Sequence, residues 1–599
     1  MERFLSFDPT RLGRPDVPPS SDAVNEELVE GTPASLKADL VEILGENLVH
    51  HRVSDLVRYA SDASPYRYIP QVVVQPRNTE QIAALFEYCV RKGRHATFRA
   101  GGTSLNGQSQ GDDILIDVRQ HWAGWKVEEN GERVRCGVGT TLLRINEVLK
   151  PYSRRMGPDP ASQNAATIGG VLANNAGGMR CTPAIDSYRS AVGMKIVLTT
   201  GTIVDTEDPG ADEMFAAAEP AMAAGLARIR EEILQDKDLS NRIARKYEIR
   251  NTNGYAKHAF LDGKTPVEIL RRLMVGSEGT LAFVAEAVYK TYHLPKRTTV
   301  TWILFETIDV AVEQVEKLVA LGASAVELMV ASMMESASKV MKGAPPYWKH
   351  LDPKNATLLV EFGVDSDQEM EEIEKRVGDA LRDVTLLHPL EFVREAEAVE
   401  LAWHIRDGLL GFVGMERPQG TSLIIEDVCF PPKQLAAATH DLLGLLRKFG
   451  FEPSAAGHAA YGNLHFVMLT RLSEDESRQR YAAFMRELVE LVADKYDGSL
   501  KAEHGTGINM APFVRREWGD KLTDLMWRAK QLLDPHGILA PNILLSHDPL
   551  IHLKNLKTTP GIEDVHSASH CIECGFCEPV CPSRNMTVTP RQRRSGIRM

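Results

Sequence analysis

From Gln71 onward the chain alternates short apolar runs with amphipathic stretches. The run Gln71-Val-Val-Val predicts a strand, and behind it Ile82, Leu85, Phe86 and Cys89 recur at the helical period, with Asn78 or Thr79 as cap and Gly93 as stop. His95 to Phe98 and Asp113 to Val118 read as further strands, and Asn130-Gly131 between two strand-like runs predicts a two-residue hairpin. Residues 207 to 250 read as a helical insertion with Leu226, Ile229 and Ile233 on one face, and Leu281 to Tyr292 as the strand closing a first large domain. Beyond Leu294-Pro295, the strands Thr299 to Phe305, Ala325 to Met329 and Thr357 to Phe362, helices from Asp309 and Asp367, and a strand near Val384 to Leu387 follow the order β-α-β-β-α-β of an antiparallel-sheet unit. It continues through a helix around Leu401 to Leu410, the strand Leu423 to Phe430, a helix from Lys433 and a hairpin near 455 to 469. The divisions are then 1–65, 66–293, 294–546 and 547–599. The first is a polar, Pro-rich arm with one helical stretch from Ala34 to Leu48, and no 20 to 50 residue repeat is present.

A chain of 599 residues can bury several cores, at roughly 150 residues per domain. Its 43 % hydrophobic and 25 % charged content excludes disordered, collagen-like and wholly membrane-embedded classes. A net charge of -12 argues against general affinity for nucleic acid or an anionic membrane. The N-terminus lacks the basic start and apolar run of a secretory signal, and no run of 18 uncharged apolar residues occurs. These features predict a cytoplasmic protein with at most peripheral membrane contact.

Glycine carries the next signal. Arg99-Ala-Gly-Gly-Thr-Ser-Leu-Asn-Gly-Gln-Ser follows a predicted strand, where Gly101, Gly102 and Gly107 let backbone amides approach an anion. The segment nearly fits G-x-x-x-x-G-K-[ST] but has Gln108 where that motif needs Lys, and no G-x-G-x-x-G occurs anywhere, so neither a P-loop nor a Rossmann site is expected. A second glycine-rich stretch runs from Met156 to Arg180 and a third is Gly276-Ser-Glu-Gly-Thr-Leu281. Three such elements in one domain point to a ligand held by backbone.

Two further constellations bear on chemistry. In Gly457-His-Ala-Ala-Tyr-Gly-Asn-Leu-His465 the two histidines would lie on opposite faces of one continuous strand, but a turn at Tyr461-Gly462 or Gly462-Asn463 puts them on adjacent strands and one face. They could then share a metal ion, with Glu503 as a third ligand and His504 beside it. Four of the eight cysteines form Cys571-Ile-Glu-Cys-Gly-Phe-Cys-Glu-Pro-Val-Cys-Pro582, matching C-x2-C-x2-C-x3-C-P, the spacing of iron–sulfur ligands rather than of a disulfide framework. In that pattern Cys581 normally ligates a second cluster, yet no second run exists, so the ending reads as cut. The last 17 residues carry five arginines (Arg584, Arg591, Arg593, Arg594, Arg598) and no acid.

Thr97-Phe-Arg-Ala-Gly-Gly-Thr-Ser-Leu-Asn-Gly-Gln, Gly157-Pro-Asp-Pro-Ala-Ser, Asn251-Thr-Asn-Gly-Tyr and Gly276-Ser-Glu-Gly-Thr resemble, in order and wording, the flavin-binding domain of the vanillyl-alcohol-oxidase type. With the histidine motifs they resemble FAD-linked D-2-hydroxyacid dehydrogenases, in the subgroup of FAD and iron–sulfur D-lactate dehydrogenases. The resemblance implies an α+β fold: a VAO/PCMH-type FAD-binding domain at 66–293, a ferredoxin-like antiparallel-sheet cap at 294–546 and a partial α-helical ferredoxin module within 547–599. It implies non-covalent FAD held by Arg99, Gly101, Gly102, Thr103, Ser104, Gly107, Gln108, Pro158, Asp159, Ser162, Gly169, Gly170, Asn174, Asn175, Gly177, Gly276, Glu278, Gly279 and Thr280. It further implies a zinc, manganese or iron ion on His458, His465 and Glu503, Arg406 clamping the substrate carboxylate, His504 taking the hydroxyl proton, and a 4Fe-4S cluster on Cys571, Cys574, Cys577 and Cys581. Electrons from a D-2-hydroxy acid would leave through the cluster to a quinone, cytochrome or flavoprotein. D-lactate is favoured, with D-2-hydroxyglutarate and glycolate as alternatives. A redox-neutral alkyl transferase of the same flavin fold is the alternative of another class.

Overall fold

A computed structural model describes residues 24–558, 571–578, 580–582 and 588–598. The start of the predicted arm, residues 559–570 and Arg584 lie outside the described residues. The arm's helix, Ala34–Leu44, ends at Gly45, whose φ of 92° suits glycine.

The first lobe contains two sheets. In one, Val72–Val74, Ile114–Asp117 and Ala96–Arg99 lie parallel, with Val49–His50 antiparallel on the outer edge. Helix Thr79–Lys92 makes the crossover between Val72–Val74 and Ala96–Arg99, capped by the Asn78 side chain on Gln81 N and stopped by left-handed Gly93. The other sheet is antiparallel, ordered Trp125–Glu128, Arg133–Gly137, Phe283–Lys290, Ala191–Val197, Ile203–Asp205. Its first hairpin differs from the sequence expectation. Glu128 pairs Arg133, so the turn has four residues, closed by Glu132 N on Glu129 O with Glu129, Asn130 and Gly131 all at positive φ. The helical insertion resolves into Ala211–Ala218, Pro220–Gln235 and Lys237–Lys246.

The second lobe is built on one antiparallel sheet of seven strands, ordered Phe392–Val393, Arg297–Phe305, Ala356–Val364, Ala325–Val330, Ala456–His458, Asn463–Thr470, Ser422–Cys429. Its first four strands have the 4-1-3-2 order of a ferredoxin-like unit. The strand expected near Val384 to Leu387 reduces to a single bridge between Leu386 and Phe305. Pro389 lacks a ladder donor, and pairing resumes at Phe392–Val393. Helices Ile308–Ala320 and Asp367–Ala380 pack against strands of this sheet, and Leu435–Lys448 packs against Ile308–Ala320. One continuous apolar core runs through both lobes, and a second lies around the four-stranded sheet. No helix of the described residues is long and apolar enough to cross a membrane.

Candidate active site

A cavity of about 600 Å³ opens between the lobes. From the first lobe Gly101, Gly102, Thr103, Ser104, Gln108, Ser162, Gly169, Gly170, Asn174, Gly177, Glu278 and Gly279 line it, with Phe98, Val118, Val138, Leu172 and Phe283 as apolar wall. The other cradle residues expected from the sequence, Arg99, Gly107, Pro158, Asp159, Asn175, Gly276 and Thr280, are not among the lining residues. Several of them brace its loops. Arg99 donates to Ser61 O at 2.6 Å and Ser109 O at 3.2 Å, Asp159 accepts the backbone amides of Arg180 and Cys181, and Asn175 turns the chain at φ 50°. A Cβ on Gly101 would strike the Ala165 carbonyl, and one on Gly177 would strike Glu503 Oε2. A slot with an apolar wall and close-set backbone at its rim fits a flat ring joined to a pyrophosphate.

The second lobe contributes a row of charged and polar side chains on the sheet face toward this cavity. Glu327 is the cross-strand partner of His458, and Asp427 that of His465. Ala456 pairs His465, so His458 and His465 are diagonal neighbours on one face, reached through the turn Ala459–Gly462 rather than a two-residue loop. Their Nε2 atoms lie 3.3 Å apart, and Glu503 Oε1 is 3.1 Å from one and 3.3 Å from the other. Two imidazoles and one carboxylate converging this closely fit a divalent cation.

Asp427 explains why Glu503 and His504 are there. Its Oδ2 accepts the amides of Ala502, Glu503 and His504 at 3.1, 2.7 and 3.2 Å, folding that segment over the sheet. Glu503 Oε2 in turn accepts Arg250 Nη1 at 2.8 Å and Gly178 N at 2.7 Å, which leaves Oε1 to the histidines. Arg250 also holds the carbonyls of Gly178 and Cys181. Glu327 has a parallel role. One oxygen accepts from His458 Nδ1 at 2.7 Å, which turns Nε2 toward Glu503, and the other accepts from Arg406 Nε at 2.8 Å and Nη2 at 2.6 Å. Sequence reasoning missed Glu327, Asp427 and Arg250. The first two were detectable as acids interrupting apolar strands, since a buried carboxylate needs a partner.

Burial lowers His458, but the charges of Glu327 and Glu503 outweigh it and raise the ring to about 9. Burial raises Glu327, and the cations His458 and Arg406 overcome this and hold it at about 2. Burial raises Glu503 as well, yet His458 and His465 keep it well below the ordinary carboxylate range. His504 differs, because burial outweighs Asp427 and takes it down to about 4, leaving a neutral ring that can accept a proton. Its ring stacks on His465 at 5.0 Å. Among the described residues His504 Nδ1, His465 Nδ1 and Asp427 Oδ1 have no hydrogen-bond partner. Arg406, His404 and Asp407 line the same end of the cavity, where burial raises Asp407 to about 6.

Cys571 and Cys574 reach the cavity wall, Cys577 is exposed and Cys581 half-buried. Among the described residues no cysteine belongs to a group tight enough for a single ion. The four cysteines form no disulfide, and their spacing is that of cubane ligands, which sit at separate corners of the cluster.

Residues 70–207 match the family described as FAD binding domain, and residues 294–543 the family of FAD linked oxidases, C-terminal domain. The chain belongs to the FAD-linked oxidases. This FAD-linked oxidase is 25 % identical to D-2-hydroxyglutarate dehydrogenase of Escherichia coli (strain K12), over 91 % of this chain and 57 % of that protein. It is 25 % identical to glycolate oxidase subunit GlcD of Bacillus subtilis (strain 168), over 86 % and 97 % of the two chains, and 24 % identical to D-lactate dehydrogenase of Archaeoglobus fulgidus, over 81 % and 94 %. It thus spans little more than half the length of the D-2-hydroxyglutarate dehydrogenases. Among solved structures it resembles p-cresol methylhydroxylase with substrate bound, with a TM-score of 0.62 at 14 % identity over 87 % of this chain and 99 % of that one. Alkyldihydroxyacetonephosphate synthase gives 0.58 at 14 %, over 88 % of each chain. The fold is therefore the VAO/PCMH type, in the α+β class.

Proposed function

We propose that this chain oxidises a D-2-hydroxy acid, D-lactate in the first instance, to the 2-oxo acid, and that its C-terminal cysteines carry the electrons away. The observation that carries the reading is that Arg406, His458, His465, Glu503 and His504 all line the cavity that the glycine cradle lines from the other side. FAD, when bound there, supplies a two-electron acceptor for the C2 hydride. A divalent ion on His458, His465 and Glu503 would supply Lewis acidity toward the substrate hydroxyl. An iron–sulfur cluster on Cys571, Cys574, Cys577 and Cys581 would supply one-electron exit to a quinone, cytochrome or flavoprotein.

The chain's own residues do the rest. Arg406, oriented by Glu327, offers a planar cation to the substrate carboxylate. His504 is neutral and close to the ligand triad, so its ring takes the hydroxyl proton. Apolar wall residues exclude water from the site. D-2-hydroxyglutarate and glycolate are the alternative substrates, in keeping with the names of the relatives.

The test is anaerobic addition of a panel of D- and L-2-hydroxy acids to the FAD-loaded protein while following the flavin's visible absorbance. Bleaching by one D-acid and not its L-enantiomer is the expected result. Absence of bleaching by every member, with FAD and metal content verified, would remove the dehydrogenase reading and bring forward the redox-neutral transferase.

A further inference from the structure

The cysteine segment forms part of the cavity wall through Cys571, Ile572, Cys574 and Phe576. A buried charge network holds it there, centred on Glu573 and Arg591, which are 2 % and 3 % exposed. Glu573, at φ 60°, binds Lys557 Nζ through Oε2 at 2.6 Å and Arg594 through Oε1. Arg591 Nε donates to Glu578 Oε1 at 3.1 Å, and Glu578 also faces Arg119 at 3.6 Å. Gly575, at φ 82°, passes so close to Arg591 that a Cβ there would lie 3.1 Å from the guanidinium.

The other end of Arg591 reaches the first cradle loop. Its Nη2 donates to the carbonyl of Gly101 at 2.7 Å and its Nη1 to that of Gly102. In a trans peptide the carbonyl and the following N–H point in opposite directions. Holding these two carbonyls on the Arg591 side therefore turns the amides of Gly102 and Thr103 away from it. Both residues line the cavity, where an anionic group would meet those donors. Burial chiefly, with the Arg591 charge beside it, pulls Arg99 down to about 10.

We propose that Arg591 couples the two functions of the chain: by gripping the cysteine segment with one edge and the Gly101–Gly102 carbonyls with the other, it makes FAD binding and docking of residues 571–582 stabilise each other. Arg591 is a positioning residue in this scheme, acting on FAD through the loop. The inference rests on FAD occupying the cavity. It adds a reciprocal linkage, because a coupling that tightens one event must tighten the other by the same factor.

The test uses the full chain, stripped of FAD and then reloaded. Hydrogen–deuterium exchange is followed in peptides covering 571–582 and 590–595, and FAD affinity is measured by equilibrium titration. With FAD bound, exchange in these peptides should slow by about tenfold, and Arg591→Lys should weaken FAD by a similar factor while losing that protection at saturating FAD. Should Arg591→Lys fail to fold, the wild-type exchange pair and Glu578→Gln, which loosens Arg591 from the segment, make the same test. Unchanged exchange on FAD binding, or a folded variant with wild-type FAD affinity, overturns the coupling. A chain that takes up no FAD removes the cofactor reading beneath it, an outcome separable because FAD uptake is measured first.

Discussion

Glu327 links two jobs at the active site. It orients His458 through Nδ1 and Arg406 through Nε and Nη2, and it is fully buried. Replacing it with Gln keeps the shape but removes the charge that both partners face. Partners of metal ligands are commonly worth about 10- to 100-fold in metal affinity. Glu327→Gln should therefore lose bound metal by roughly that factor in a competition titration with a chelator, and raise KM for the hydroxy acid through the loosened Arg406. Retention of metal with an unchanged KM would show that the bridge is not needed. Glu278 carries a different message. Burial outweighs its hydrogen bonds from Thr506 N and Gly507 N and raises its carboxyl to about 8. A folded-state pKa above the unfolded one gives stability that is present at low pH and lost as pH rises through the folded value. Stability of the FAD-free chain should thus fall between about pH 5 and pH 8, and Glu278→Gln should flatten that fall when unfolding is followed by urea titration at both pH values. An equal fall in the variant would place the loss elsewhere.

At the scale of the element, the geometry of the sheet sets the site. The separation of His458 and His465, with Gly462 between them, was legible in the sequence because only a turn can put an odd-spaced pair on one face. The glycine stretches were legible for a similar reason, since no other residue lets backbone come so close. Glu327 and Asp427 stand out in the sequence only as acids within apolar strands; that they meet the histidines was not legible, because the contact is lateral pairing with distant strands, and register between distant strands has no local signature. The two hairpin turns came out longer than expected for a related reason. Asn130-Gly131 and Gly462 mark where the chain reverses, but the number of residues in the turn is set by which pairs the flanking strands can form. Gly462 itself sits at φ 73°, and a Cβ there would strike the Phe430 carbonyl. Gly462→Ala should cost about 1–3 kcal/mol in strain and displace His458 relative to His465. Lower thermal stability together with weakened metal binding is the expected pair of results, and stability loss alone would mean that the turn does not set the histidine spacing.

Across the whole molecule, Glu503 stands at the seam. One oxygen is held by Arg250 and Gly178 of the first lobe and the other faces the two histidines of the second. A second tie crosses nearby, where Arg180 pairs with Glu361 at 2.6 Å and stacks over Trp403 at 4.2 Å. An ion on the triad would therefore fasten the lobes together, whereas the FAD cradle is built mainly from first-lobe loops. A ligand that binds only the folded state stabilises it by an amount set by its concentration over its dissociation constant, about 4 kcal/mol at a thousandfold excess. Chelation should then lower the thermal transition by several degrees and abolish flavin bleaching by substrate, while FAD remains bound, and adding back the divalent ion should restore both. Release of FAD together with the metal would mean that the cradle depends on lobe closure. An unchanged transition would mean that the triad is held by its own hydrogen bonds, with Glu503 between Arg250 and the histidines serving as the fastening and no ion required for it.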